Sequence, residues 1–205
     1  VGARTSSQLV RQDDWIIIDG DAGVVIVNPS PIILAEYGFK QRQAEVERER
    51  LSRLRHTPAV TLDGQRVELL ANIEMPEDSP AALGVGAVGV GLFRSEFLFM
   101  GRVGSLPDEE EQYQAYRRAV EGMQGLPVTI RTVDIGADKP LDRAHKDEAH
   151  LNPALGLRAI RWSLADPAMF LTQLRAVLRA AAYGQVHLLI PMLAHAREIK
   201  QTLAL

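Results

Sequence analysis

Cysteine is absent from this chain of 205 residues. Its absence excludes disulfides, thiol catalysis and zinc sites built on cysteine, and it fits a reducing cytoplasm. No apolar run is long enough to span a bilayer, and no basic region followed by an apolar one opens the sequence, so neither a membrane span nor a secretory signal is predicted. A net charge of -3 gives no general attraction to nucleic acid or to acidic membranes. An initiating methionine is also missing, which predicts a piece of a longer protein.

The composition that remains is that of an ordinary globular protein, with 46% hydrophobic and 24% charged residues, enough for one large domain or parts of two. Two strand-like runs, Trp15–Asp19 and Val24–Val27, flank turn residues and predict a hairpin. A helix is expected from about Ile32 to Arg55. Its stretch Lys40–Arg50 is almost wholly polar, which is typical of a solvated helix held by ion pairs three or four residues apart. We interpret this helix as a connector between domains.

From residue 58 onward, apolar strands alternate with helical segments, which predicts an α/β fold with a parallel sheet covered on its faces. Four such units fit either an open sheet or half of a (β/α)8 TIM barrel. A complete barrel needs about 250 residues, whereas about 140 follow Val67. The expected strands are Val67–Ile73, Val88–Phe93, Val128–Val133 and Val186–Met192, and the expected helices are Pro80–Leu83, Glu109–Met123 and Asn152–Ala182.

Two of these helices carry apolar stripes at helical spacing, which predict their buried faces. The stripe of the second helix is Tyr113, Tyr116, Val120 and Met123. In the third segment Asp166-Pro167 restarts a helix, since proline is tolerated in a first turn; its stripe is Phe170, Leu174, Val177 and Leu178.

One arginine stands at the end of each of two apolar strands, Arg94 and Arg131. Cations at strand ends can converge on one anionic ligand, and the forked donors of a guanidinium match two phosphate oxygens at once. Buried or half-buried arginines are usually paired, so an ordinary ion-paired loop residue is the alternative for each. The pattern therefore favours a phosphate site and leaves the structural role open.

Four ordered stretches strengthen this interpretation: GAVGVGLFRSEFLFM at 86–100, LPDEEEQ at 106–112, IRTVDIGADK at 130–139 and NPALGLRAIR at 152–161. In order and spacing they resemble one known family, phosphoenolpyruvate-protein phosphotransferase, Enzyme I of the bacterial sugar phosphotransferase system, at its phosphoenolpyruvate-binding domain. Asp13–Pro29 resembles the end of the family's swivelling phosphohistidine domain, so the resemblance covers nearly the whole chain.

The resemblance implies a reaction. Phosphoenolpyruvate, bound with Mg²⁺ in a TIM barrel, gives its phosphoryl group to a histidine of the swivelling domain, which passes it to the phosphocarrier protein HPr and so to sugar uptake. Fixed cations stabilise the charge of a phosphoryl group in transfer. Residue by residue, Arg94 and Arg131 match the family's substrate-binding arginines, and Lys139 and Arg158 resemble further cations of the same pocket. Salt bridges remain the alternative for the latter two.

The carboxylates Glu96 and Asp134 are expected to aim these arginines through hydrogen bonds. No catalytic residue and no metal ligand is expected in this chain, because the family's magnesium carboxylates and its acid cysteine would follow Leu205. None of the five histidines lies in the family's glycine-rich Thr-Ser-His setting. Ser7 stands where that histidine would be, but only seven residues separate it from the strand at Trp15. A fragment without complete chemistry is therefore expected.

The predicted organisation has three parts: the end of the swivelling domain at 1–31, the helical connector at 32–57 and the first half of the barrel at 58–205. A half-barrel leaves unpaired strand edges, so dimerisation or aggregation through them is expected; the resemblance implies a homodimer in the whole protein.

Alternatives within enzymes are a nitrogen-regulatory or fructose-type fused Enzyme I, or a phosphoenolpyruvate synthase or dikinase, although Arg131–Lys139 favours Enzyme I over the dikinases. A non-catalytic oligomerisation or regulatory module is the alternative outside enzymes.

Overall fold

A computed structural model of the chain describes residues 9–102, 105–135 and 153–205. The chain divides into two units, Val1–Thr57 and Pro58–Leu205. Across the described residues, no helix combines the length and the apolar character needed to cross a membrane.

The first unit contains the predicted hairpin and the predicted long helix. Strand β1 (Ile16–Asp19) pairs antiparallel with β2 (Val24–Val27). Helix α1 (Pro31–Ser52) begins at a proline, which suits a first turn, and the Ser30 hydroxyl accepts a hydrogen bond from its third residue. None of its residues is buried, and its ion pairs are exposed ones three or four residues apart. The interpretation of a solvated helix is confirmed, with an end three residues earlier than expected.

The second unit is built on a parallel sheet. Its strands are β5 (Ala71–Ile73), β6 (Val90–Arg94), β7 (Val128–Arg131) and β8 (Val186–Leu189), in the order β5-β6-β7-β8. All three neighbouring pairs are parallel, so the carboxyl ends of the strands lie along one edge. The predicted parallel α/β architecture is confirmed to this extent.

One predicted strand is wrong in its first half. The run Val67–Ile73 is divided, because a turn at Asp63-Gly64 reverses the chain and pairs β4 (Arg66–Val67) antiparallel with β3 (Ala59–Val60). Gly64 adopts a φ of 87° in this turn, a conformation that favours glycine. The local hairpin thus takes Val67, and the parallel sheet begins only at Ala71.

Strand β6 contains one residue more than its neighbours require. Val90 lies opposite Val128, yet Phe93 lies opposite Ile130, so three steps along β6 match two along β7. The same irregularity appears against β5. Such a β-bulge changes which side chains face one another beyond it, and it brings Arg94 into register with Arg131.

Helices follow the strands as the alternation predicts. They are α2 (Ser79–Gly84), α3 (Glu109–Gly122), α4 (Ile160–Ala165), α5 (Pro167–Ala180) and α6 (Ala196–Ala204). Helix α3 is capped by Asp108, whose carboxylate accepts from the Glu111 amide at 2.8 Å. The segment expected over Asn152–Ala182 is helical only in part, because a 3₁₀ turn covers Pro153–Leu155 and α4 begins at Ile160, whereas the restart predicted at Asp166-Pro167 is confirmed by α5. Ala159 has a φ of 49° there, which a continuous helix cannot contain.

The core lies between the sheet and the helices α3 and α5. Phe93 of β6 and Tyr116 of α3 are fully buried, with ring planes at 88° and centroids 5.9 Å apart, an edge-to-face contact. The stripe predicted on α3 is confirmed, because all four of its residues are buried. On α5 the stripe is wrong at Leu178, which is 71% exposed, whereas Phe170 and Val177 are buried.

Candidate functional site

Two strand ends of the parallel sheet carry arginines side by side. Arg94 is the last residue of β6, Arg131 is the last residue of β7, and the two are register partners. Because the strands are parallel, both side chains leave the sheet at its carboxyl edge. Their guanidinium groups remain partly accessible, with 26% and 18% of the side chains exposed.

A single buried carboxylate joins these two arginines. Glu96 lies in the 3₁₀ turn Ser95–Leu98 that follows β6, and its side chain is fully buried. Its Oε1 accepts a hydrogen bond from Nη2 of Arg131 and lies 3.6 Å from Nε of Arg94. A buried charge requires such partners, so Glu96 fixes both guanidinium groups near one point.

Asp134 extends this arrangement beyond the end of β7. Its Oδ2 lies 3.5 Å from Nη1 of Arg131. Its Oδ1 accepts from Nη2 of Arg158 at 3.0 Å and from Nε at 3.2 Å. Arg158 lies two residues before the start of α4, and its side chain is only 14% exposed. Arg158 is thus brought from a distant part of the chain to the same edge of the sheet.

A third carboxylate, that of Glu74, lies on the other side of Arg94. Glu74 follows directly after β5, and its Oε1 lies 2.5 Å from Nη1 of Arg94. Charges of opposite sign therefore alternate along the carboxyl ends of three neighbouring strands. We call this set the arginine–carboxylate row; its members in order are Glu74, Arg94, Glu96, Arg131, Asp134 and Arg158.

Two buried polar atoms in the row have no hydrogen-bond partner among the described residues. They are Oε2 of Glu96 and Nε of Arg131. Buried polar atoms are nearly always satisfied in folded proteins. Of the two, Nε of Arg131 is a donor and matches an anionic ligand, whereas Oε2 of Glu96 accepts and requires a donor such as water.

Lys139, the fourth cation that the sequence singles out, lies outside the described residues, as do His145 and His150. For Arg94 a second contact is visible, because its guanidinium carbon lies 4.9 Å from the centre of the Phe97 ring. A cation over an aromatic face is attracted to it, so Phe97 also holds Arg94 in place.

A buried polar network supports the row from beneath. Gln173 of α5 is fully buried; its Oε1 accepts from the backbone amide of Val133 at 3.0 Å. Its Nε2 donates to Ser95 Oγ at 3.1 Å and to the Tyr116 hydroxyl at 3.0 Å. Burial raises the pKa of Tyr116, so its hydroxyl remains a neutral donor and donates to Gln112 at 3.1 Å. One side chain thus ties together the loops that follow β6 and β7.

Sequence reasoning missed two residues of this arrangement, Glu74 and Gln173. Glu74 immediately follows the short strand Ala71–Ile73, which is the same strand-end position that singled out the two arginines. Gln173 is a polar residue inside the apolar stripe of α5, three residues after Phe170. A polar side chain on a buried helix face needs partners, and this was the available signal.

The carboxylates of the row do not form a metal site. Each of the three faces an arginine, which disfavours a cation beside it. Within residues 9–102, 105–135 and 153–205, no group of three or more metal-ligating side chains occurs. The described residues therefore do not fit the magnesium that the resemblance implies.

The comparison with protein families defines the class. Residues 48–205 match the phosphoenolpyruvate-binding domain of the phosphoenolpyruvate-utilising enzymes, so the chain belongs to that family. Individual relatives carry a more specific name than the family does. A phosphoenolpyruvate-protein phosphotransferase of Cupriavidus necator is 70% identical over the whole of this chain. Proteins of the same name from Geobacillus stearothermophilus and Staphylococcus carnosus are 46% and 43% identical, also over the whole chain. The chain spans 35% of the length of each.

Proposed function

We propose that this chain contributes the first part of the substrate site of a phosphoenolpyruvate-protein phosphotransferase. In this proposal Arg94, Arg131 and Arg158 bind the phosphate and carboxylate groups of phosphoenolpyruvate, and Lys139 joins them. The observation that carries the proposal is the shared contact of Arg94 and Arg131 with one oxygen of Glu96. A purely oligomerising module has no need to gather three arginines at one edge of a sheet.

The chemistry follows from where the charge moves. The phosphoryl group leaves the enol oxygen of phosphoenolpyruvate and forms a bond to a histidine nitrogen, and the resulting enolate takes a proton to give pyruvate. Guanidinium groups that are already fixed stabilise the negative charge on the phosphoryl oxygens without reorganising during the transfer. Glu96 and Asp134 fix the guanidinium groups in this way.

The acceptor histidine belongs, in this proposal, to the swivelling domain, and HPr takes the phosphoryl group from it for sugar uptake in the cytoplasm. Residues 1–31 form the end of that domain, 32–57 the connector, and 58–205 the first half of a (β/α)8 barrel. The order of four parallel strands, alternating with helices, supports the barrel. The outer edges of β5 and β8 are completed by the second half of the barrel, and the whole protein is a homodimer.

The family resemblance implies Mg²⁺, and in this proposal its ligands lie outside the described residues. The roles of the three arginines do not depend on the metal.

The test is a titration of the full-length protein with phosphoenolpyruvate and Mg²⁺ by calorimetry. Replacing Arg131 with alanine removes a charged hydrogen-bond donor, so we expect the dissociation constant to rise about ten- to hundredfold. The matched control is Arg117→Ala. Arg117 lies on α3 and pairs with Glu121 at 3.0 Å, so its loss should leave the affinity unchanged. Equal affinities of wild type and Arg131→Ala would refute the proposal.

A further inference from the structure

Among the described residues, the arginine–carboxylate row is electrically balanced. It contains three guanidinium groups and three carboxylates. Each guanidinium is engaged with a negative partner, which weakens its attraction for an anion. Withdrawal of one carboxylate from its arginine therefore strengthens anion binding, with or without Lys139 in the site.

The three carboxylates differ in their freedom to withdraw. The side chain of Glu96 is fully buried and that of Asp134 is 15% exposed, so moving either would leave a charge unpaired inside the protein. The side chain of Glu74 is 45% exposed. Its carboxylate can turn into water at little cost, since exposed ion pairs contribute little free energy.

Arg94 does not need Glu74 to keep its orientation. Its Nε faces Glu96 at 3.6 Å, and its guanidinium carbon lies 4.9 Å from the ring centre of Phe97. Glu74 instead contacts Nη1, one of the two terminal nitrogens, at 2.5 Å. Because Nε faces Glu96, a phosphate or carboxylate that binds Arg94 in the forked geometry needs both terminal nitrogens, including Nη1. The ligand and Glu74 thus require the same donor.

We propose that Glu74 competes with the anionic substrate for Arg94 and lowers the affinity of the site. In the ligand-free protein its carboxylate stands in for a substrate oxygen, and it leaves when the substrate arrives. This role rests on the proposed function of the row as a phosphoenolpyruvate site. In this role Glu74 weakens the binding of substrate, whereas Glu96 and Asp134 strengthen it by fixing the arginines.

The experiment replaces Glu74 with glutamine in the full-length protein, which preserves shape and removes the charge. Phosphoenolpyruvate with Mg²⁺ is titrated by calorimetry, and KM and kcat are measured for phosphotransfer. We expect the dissociation constant and KM to fall about two- to fivefold, the range that corresponds to an exposed ion pair. The kcat should stay the same, because the lost competition acts equally on substrate and transition state.

Glu77→Gln is the matched control. Glu77 lies three residues after Glu74, in the 3₁₀ turn Pro76–Asp78. It is exposed and makes no ion pair with a described residue, so this variant loses the same charge without freeing Arg94. Its affinity should equal that of the wild type. An unchanged or weaker affinity in Glu74→Gln, or an equal gain in Glu77→Gln, would overturn the role of Glu74 and leave the proposed function intact. A wild-type protein that does not bind phosphoenolpyruvate would remove both.

Discussion

Ser95 donates a hydrogen bond of 2.6 Å from its hydroxyl to the carbonyl oxygen of Arg131. This bond joins the turn after β6 to the end of β7, at the residue after Arg94 and at Arg131 itself. Gln173 in turn donates to the same hydroxyl and accepts from the Val133 amide. The positions of the guanidinium groups therefore depend on a buried amide in α5, which does not itself contact them.

Gln173→Leu should destabilise the chain. It leaves the Val133 amide without its acceptor, and Ser95 Oγ and the Tyr116 hydroxyl without their donor. We expect a loss of about 3 kcal/mol in the free energy of unfolding, measured with urea, since each buried group left unsatisfied costs about 1–3 kcal/mol.

Gln114→Leu is the control for Gln173. Gln114 is an exposed glutamine of α3, and its side chain donates a hydrogen bond to Glu110 at 2.7 Å. Its replacement should change the stability by less than about 0.5 kcal/mol. Equal stability of the two leucine variants would contradict the supporting role of Gln173.

Glu96→Ala should be among the more harmful substitutions at the carboxyl edge of the sheet. It removes the buried carboxylate that both Arg94 and Arg131 contact. Breaking a buried ion pair costs about 3–5 kcal/mol, which urea unfolding would detect. Glu111→Ala, which breaks the exposed pair with Arg102, should cost about 1 kcal/mol or less; a similar cost for both variants would argue against the burial of Glu96.

Gly89→Ala should destabilise the sheet by about 1–3 kcal/mol through overpacking. A Cβ at residue 89 would lie 2.8 Å from the carbonyl oxygen of Pro127, which accepts a hydrogen bond from Val90 at the start of the β6–β7 pairing. At Gly84 a Cβ would meet nothing within 4 Å. Thermal unfolding of Gly84→Ala should therefore show no loss, and a loss as large as that of Gly89→Ala would contradict this account.

The hydrogen bonds of Asp78 predict that the free energy of unfolding depends on pH. Its Oδ2 accepts from the backbone amides of Met75 and Glu74, each at 3.0 Å, and these bonds lower its pKa below the ordinary value of 3.8. The carboxylate is thus more stable in the folded state. Its contribution is present above the unfolded pKa and is lost as the pH falls through the lowered folded value.

The measurement compares urea midpoints at pH 7 and pH 3. Asp78→Asn should lower the midpoint at pH 7 and reduce the drop between the two pH values, because asparagine does not titrate. If the drop in Asp78→Asn equals that of the wild type, the contribution of this carboxylate is disproved.

The sequence predicts best those features of the fold that depend on residues close together in the chain. The placing of Arg94 and Arg131 near strand ends, the stripe of α3 and the restart of a helix at Asp166-Pro167 all follow from local pattern. The bounds were less accurate, because β7 ends two residues before the expected Val133 and β8 three before the expected Met192. The division of Val67–Ile73 does not, because the antiparallel pairing of Val67 with Ala59 competes with the parallel sheet. No local pattern decides which pairing is stronger.

The site shows the same division. Arg94 and Arg131 could be identified from the sequence, because they stand at strand ends and match family motifs. Their partners were only partly readable: Glu96 and Asp134 lie two or three residues from an arginine, whereas Glu74 lies 20 residues from Arg94. Gln173 is 78 residues from Ser95. Contacts across such separations depend on the neighbours that the sheet order supplies, which the sequence alone does not state.

The bulge in β6 sets the spacing of charge at the edge of the sheet. Counting straight from the pair Val90 and Val128 would put Phe93, not Arg94, across from Arg131, and would turn the arginine toward the other side. The bulge between Val90 and Phe93 absorbs the additional residue and so restores the register by one step. A deletion at Gly91 would remove the additional residue, and Arg94 would then lie opposite Arg131 in a strand without a bulge. The register of the two arginines therefore depends on the number of residues in β6 and on the bulge that accommodates them.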